Sequence, residues 1–134
     1  MTDFLNICHV INSIEYGGAE TMLVDLIDVM SDTEVTVISI EGMGRLQPKL
    51  KSAGATVKGL DESIRFDPRT VAKLHGIFIR ESYDVVHAHL PYAQTVSRLA
   101  ACMANQHAIV STQHNAPTAY PPLTRITERM TRPL

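Results

Sequence analysis

This 134-residue sequence predicts a parallel α/β sheet covered by helices on both faces. Three observations lead there. Short apolar, β-branched runs alternate with segments of helical periodicity, the pattern of parallel strands joined by right-handed crossovers. The first and best-defined run is apolar on both faces, as a strand covered on both sides must be. That run then passes into a helix through the glycine pair Gly17-Gly18, where backbone can approach a ligand with no side chain in the way. For five such strands the usual order is 3-2-1-4-5.

Residues 6–12 (Asn-Ile-Cys-His-Val-Ile-Asn) make the first strand, interrupted only by His9, which reads as a hydrogen-bonded core residue. Residues 18–30 are the first helix, with Met22, Leu23, Leu26, Val29 and Met30 on one side and Thr21, Asp25 and Asp28 on the other. Residues 34–40 are β-branched and stop at Glu41-Gly42, giving the second strand. A short helix over 45–53 closes at Gly54, and residues 56–60 form a third strand whose Lys58 places it near the sheet edge. Asp67 caps the third helix and Pro68 opens it, with Val71, Leu74 and Phe78 on its inner face. Residues 83–89 (Tyr-Asp-Val-Val-His-Ala-His) are the fourth strand. Pro91 starts a helix that turns Val96, Leu99, Ala100 and Met103 inward. The fifth strand spans 107–114, a proline-rich loop 115–122, and a last helix 123–130. That helix sets Leu123, Ile126 and Met130 on one side, with Arg125, Arg129 and Arg132 nearby. It reads as an amphipathic packing helix, at most in peripheral contact with an anionic membrane.

The length suits one domain, and 45% hydrophobic with 19% charged residues gives a globular composition. A formal charge of -2 supplies no basic field, so nucleic acid is excluded as an expected partner. No stretch has the length of a membrane span, and the start Met1-Thr2-Asp3-Phe4 lacks a basic, apolar leader pattern, which points to the cytoplasm or to the inner face of its membrane. Cys8 and Cys102 lack metal or disulfide spacing and read as buried small hydrophobes. Imidazoles at His87, His89 and His114 have no supporting thiolate or carboxylate spacing, so no metal is assigned.

In the order 3-2-1-4-5 the first and fourth strands are neighbours where the winding reverses, and ligands bind beyond the carboxyl ends of strands at that point. Three polar groups converge there: the loop 16–19 after the first strand, 87–91 at the end of the fourth, and 113–115 at the end of the fifth. The helix opening at Gly18 points unpaired N–H groups and a partial positive charge at whatever lies above it, which suits a phosphate or a sugar oxygen. A plain strand-to-helix turn at Gly17-Gly18, with Glu20 offsetting the dipole, is the competing reading.

The ordered set of a strand, Gly17-Gly18-Ala19-Glu20 opening a helix, a Tyr-Asp-Val-Val-His-Ala-His strand and a strand ending Ser-Thr-Gln-His-Asn resembles the N-terminal domain of family-4 glycosyltransferases, over about residues 6–130. The resemblance implies a Rossmann-like sheet as half of a GT-B fold. In that fold two domains face each other across a cleft, and a sugar is transferred with retention from a nucleotide-diphosphate sugar, the co-substrate, with no cofactor. It implies that Gly17 and Gly18 approach the donor diphosphate and sugar, and that His114 stands beside the transferred sugar as the catalytic candidate. His89, Tyr92 and Asn115 would lie on the acceptor side. The acceptor would be a glycan, a lipid-linked saccharide or a small polyol, in polysaccharide or envelope synthesis.

Family members run to twice this length or more, so the expected unit is an incomplete acceptor-side domain over 1–134, without the C-terminal donor domain or its E-x7-E glutamates. A second chain is one possible source of that domain. Two other readings stay open: a non-catalytic binding or partner subunit, and a dinucleotide-binding oxidoreductase with Glu41 as the ribose acid. Against the latter, the loop lacks G-x-G-x-x-G.

Overall fold

The computed structural model describes residues 4–116 and 119–133. The Met1-Thr2-Asp3 start and Pro117-Thr118 of the expected loop therefore lie outside the described residues. Five parallel strands, β1 (Leu5–Ile11), β2 (Thr33–Ser39), β3 (Thr56–Gly59), β4 (Val85–His89) and β5 (Ile109–Thr112), form one sheet in the order β3-β2-β1-β4-β5. This is the expected winding, with β3 at an edge as Lys58 indicated. The helices are α1 (Gly18–Val29), α2 (Gln47–Ser52), α3 (Pro68–Glu81), α4 (Pro91–Met103) and α5 (Pro122–Thr131).

The period-2 alternation of side chains divides the core between the two faces. Cys8, Val10, Ile38, Ile40 and Val86 pack with Leu74, Ile77 and Phe78 of α3 and Val96 and Ala100 of α4. On the opposite face Ile11, Val35, Val37 and Val57 pack with Leu23 and Ile27 of α1 and Leu50 of α2. Ile38 is fully buried, so Ile38→Val removes one methylene from a packed site. The expected loss is about 1 kcal/mol, read from the urea midpoint at unchanged slope.

Local chemistry sets the helix ends. Asp67 accepts the Arg69 N–H at 2.9 Å, Pro68 takes the first helical position, and Ser82 ends α3 in the left-handed region at φ 51°. Hydrogen bonds from Arg69 hold the Asp67 carboxyl below the usual range. β4 begins at Val85 rather than at Tyr83 because Asp84 is committed to the neighbouring strand end: its carboxylate accepts the Asn6 N–H at 2.7 Å and its own N–H reaches Asn6 O at 2.8 Å.

Several inner faces differ from the sequence reading. α1 buries Leu23 and Ile27, while Met22 and Val29 face solvent. α4 buries Val96 and Ala100 as expected but exposes Leu99, Met103 and Cys102. The reason is a polar row on α4. Gln94, Ser97 and Arg98 are buried, Gln94 Nε2 donates to Thr112 O at 2.7 Å, and Arg98 donates to Ser111 Oγ at 3.1 Å. Arg98 also reaches Thr131 Oγ1 of α5 at 3.5 Å. Helix α5 is thus docked through its threonine side, and Leu123, Ile126 and Met130, expected to pack inward, are exposed, Met130 at 74%. Among the described residues no helix is long and apolar enough to cross a membrane.

Candidate active site

The carboxyl edge of the sheet carries a column of histidines. Parallel register sets His9 of β1 opposite His87 of β4, and His89 opposite Thr112 of β5. His114, two residues beyond Thr112, falls on the same face by the period of the strand. The rings of His87 and His89 stack with centroids 4.1 Å apart, and His9 and His114 sit 5.2 and 5.4 Å from His89. Two ring-to-ring hydrogen bonds run through them. His9 Nδ1 lies 3.0 Å from His89 Nε2, and His89 Nδ1 lies 3.2 Å from His114 Nε2. His87 Nε2 bonds Thr112 Oγ1 at 2.6 Å.

Burial decides the charge of this column. His9 is 1% exposed and His89 fully buried, while His87 and His114 are half-buried. Desolvation, assisted by the neighbouring His87, lowers His9 to about 4. The same cause, with His87, His9 and His114 all close by, lowers His89 to about 2, and burial beside His114 lowers His87. At neutral pH these three rings are uncharged hydrogen-bonding groups.

The glycine loop enters the same edge from β1. Gly17 is the extended N-cap of α1 (φ −167°, ψ 170°), and the first intrahelical bond is Thr21 N–H to Gly17 O at 3.0 Å, so the N–H groups of the first turn have no partner within the helix. A side chain at Gly17 would meet the Glu20 carboxylate, which folds back beside it. A Cβ at Gly18 would meet nothing within 4 Å. Gly18 is therefore exposed, with open space where a side chain would stand.

The remaining expected residues divide. Asn115 is exposed just past β5. Tyr92 is 4% exposed, packs edge-on against Phe66 with centroids 5.5 Å apart, and accepts the Phe66 N–H at its hydroxyl at 3.1 Å. In this structure it secures the segment before α3. Of the other histidines, His75 is half-buried on α3, and His107 is exposed two residues before β5.

Three contributors had no clear signal in the sequence. His9 entered only as a core residue, because the β1–β4 register that sets it against His87 cannot be read locally. Asn12 accepts the Ala93 N–H at Oδ1 at 3.0 Å and so ties the end of β1 to the start of α4. Leu90, between His89 and Pro91, is held at φ 73° and ψ 147°, a conformation that costs a non-glycine residue about 1–3 kcal/mol. Gly44 had a signal in Glu41-Gly42-Met43-Gly44: a Cβ there would come within 2.8 Å of Ile14 O, and the loop after β2 closes on the loop after β1 through Leu46 N–H to Ile14 O at 2.9 Å.

One nitrogen from each of His9, His87 and His89 lies within 4.8 Å of the others, a spacing close enough for one metal ion. Ring-to-ring bonding already engages nitrogens of His9 and His89.

The family model for Glycosyltransferase Family 4 matches residues 16–134. The chain belongs to glycosyltransferase family 4. Among solved structures it is similar to a lipopolysaccharide outer core galactosyltransferase, WaaB, in its apo form, with a TM-score of 0.65 and 17% identity over 92% of this chain. The chain spans 37% of that structure's length. The likeness shows the fold: a Rossmann-like sheet of the GT-B type. A search of curated proteins returns no match. Glycosyl transfer is the class of chemistry of that family.

Proposed function

We propose that the chain is the acceptor-side half of a retaining glycosyltransferase that moves a sugar from a nucleotide-diphosphate sugar to a glycan, a lipid-linked saccharide or a small acceptor. A donor half completes it, on the same polypeptide or on a second one. The observation that supports the reading is that a glycine-opened helix start, following β1, and a histidine pair at the ends of β4 and β5, His89 and His114, hydrogen-bonded to each other, lie at the same carboxyl edge of the sheet. In the reaction the bond from the sugar C1 to the diphosphate oxygen breaks and a bond from C1 to an acceptor oxygen forms. The acceptor hydroxyl hands its proton to the departing diphosphate oxygen, on which the negative charge develops as the bond to C1 breaks. The N-terminus of α1 stabilises that charge without a lysine. His114, as a hydrogen-bonding group beside the sugar, positions it and stabilises developing charge.

Without a facing domain, water is not excluded and the leaving group is not clamped, so the chain alone is inactive. The test is transfer or hydrolysis of a panel of UDP- and GDP-sugars by the chain alone and with a donor half supplied. Transfer by the pair only is expected. Silence in both, from folded protein, favours a non-catalytic partner subunit instead.

Gly18 allows a sharper test. A Cβ there meets nothing within 4 Å and the position is exposed, so Gly18→Leu is expected to fold with unchanged thermal stability. In the completed enzyme its side chain fills the space above the helix start, and turnover falls about 10²-fold. Near-normal turnover would take Gly18 out of the donor site.

A further inference from the structure

From the two head-to-tail ring bonds we infer that His9, His89 and His114 form a single proton-ordered chain in which the buried His9 sets which nitrogen of His114 carries a proton. The part this plays in sugar transfer rests on the reading of His114 given above; the proton order itself does not.

Each bond joins Nδ1 of one ring to Nε2 of the next: His9 Nδ1 to His89 Nε2, then His89 Nδ1 to His114 Nε2. A neutral imidazole has one N–H and one bare nitrogen. His89 uses both nitrogens and, being neutral, can donate in only one of the two bonds. Both bonds are satisfied in just two ways. Either every ring carries its proton on Nδ1, with donation running from His9 outward, or every ring carries it on Nε2, with donation running inward. Mixed arrangements leave two bare nitrogens or two N–H groups facing each other. The three tautomers therefore change together.

The inner end of the chain chooses between them. His9 is 1% exposed, and its Nε2 has no hydrogen-bond partner among the described residues. The inward order would place an N–H at that nitrogen, and orphaned buried N–H groups are the rarest kind of unsatisfied polar group. The outward order leaves only a lone pair there. Histidine in water carries its proton mainly on Nε2, so the chain imposes the less common tautomer. His114 then bonds His89 through its bare Nε2 and keeps an N–H on Nδ1, which has no partner among the described residues. It meets a sugar as a fixed donor, not as a base. His9 and His89 are positioning residues: they act through His114.

The experiment is long-range ¹H–¹⁵N NMR of the imidazoles in the ¹⁵N-labelled chain at pH 7, which assigns the protonated nitrogen of each ring. Nδ1–H in all three rings is the expected result. A mixed pattern would overturn the ordered chain, and Nε2–H in all three would overturn the assignment of His114 as donor. Two variants extend the test. In His9→Asn the side-chain amide keeps a donor near the position of Nδ1 and His114 remains Nδ1–H; in His9→Leu the donor is lost and the major tautomer of His114 moves to Nε2–H. An unchanged tautomer in folded His9→Leu counts against the role of His9. Where that variant does not fold, the wild-type pattern decides alone. Because the tautomers are read without turnover, a failed transfer assay removes the glycosyl-transfer reading and leaves the proton order standing.

Discussion

Replacing His114 with alanine in the enzyme completed by its donor half lowers turnover about 10²–10³-fold, the range seen when one preorganised donor is removed from a site of developing charge. The structure gives the reason for a large effect. His114 is half-buried at the carboxyl edge, two residues past β5, and its Nε2 is already held by His89 Nδ1 at 3.2 Å. The ring is therefore held in one orientation before any substrate arrives. The stability cost is about 1–3 kcal/mol, because the buried His89 loses its partner. Single-turnover rates beside thermal unfolding separate the two. Equal rates for variant and wild type, with both folded, would remove His114 from the site.

Acid destabilises the isolated chain strongly, and earlier than its carboxylates would. His9 and His89 are lowered in the folded state to about 4 and about 2 from an ordinary value of 6.5. Above pH 6.5 both are neutral whether folded or not, and the shift costs nothing. Below it the unfolded chain takes up protons that the folded chain refuses, so stability falls as the pH drops. At pH 5 each ring has cost about 2 kcal/mol, together about 4. The loss continues to near pH 4 for His9 and lower still for His89, and the lowered His87 acts in the same direction. Urea midpoints at pH 7 and pH 5 measure it. A midpoint that stays level over that interval would mean the column is hydrated or already charged.

Much of this architecture was legible because parallel strands announce themselves. The both-faces apolar run through Cys8, Val10 and Ile11 and the β-branched run through Val35, Val37 and Ile38 are core residues, and the capping pair Asp67-Pro68 started α3 where expected. Strand alternation sets His87 and His89 on one face of the sheet, and their rings stack. The rest depended on long-range register. Nothing near His9 in the sequence says that it lies opposite His87, so the deepest member of the column read as an ordinary core residue. The faces of α4 and α5 were misjudged for a related reason. Apolar spacing selected Leu99, Met103, Leu123 and Ile126, whereas the structure buries Gln94 and Arg98 against β5 and Thr131. Hydropathy cannot foresee a polar row that finds its hydrogen bonds only after folding. The strained turn at Leu90 is hidden in the same way.

The central claim is that a sugar nucleotide sits over the carboxyl edge of this sheet, between the α1 start and His114. The most direct measurement is amide and imidazole chemical-shift mapping of the ¹⁵N-labelled chain, bound to a donor half, as a nucleotide-diphosphate sugar that supports turnover is added. The account predicts shifts concentrated at Gly17, Gly18 and His114. Shifts confined to the amino ends of the strands, around Asn6, Thr33 and Thr56, would contradict it.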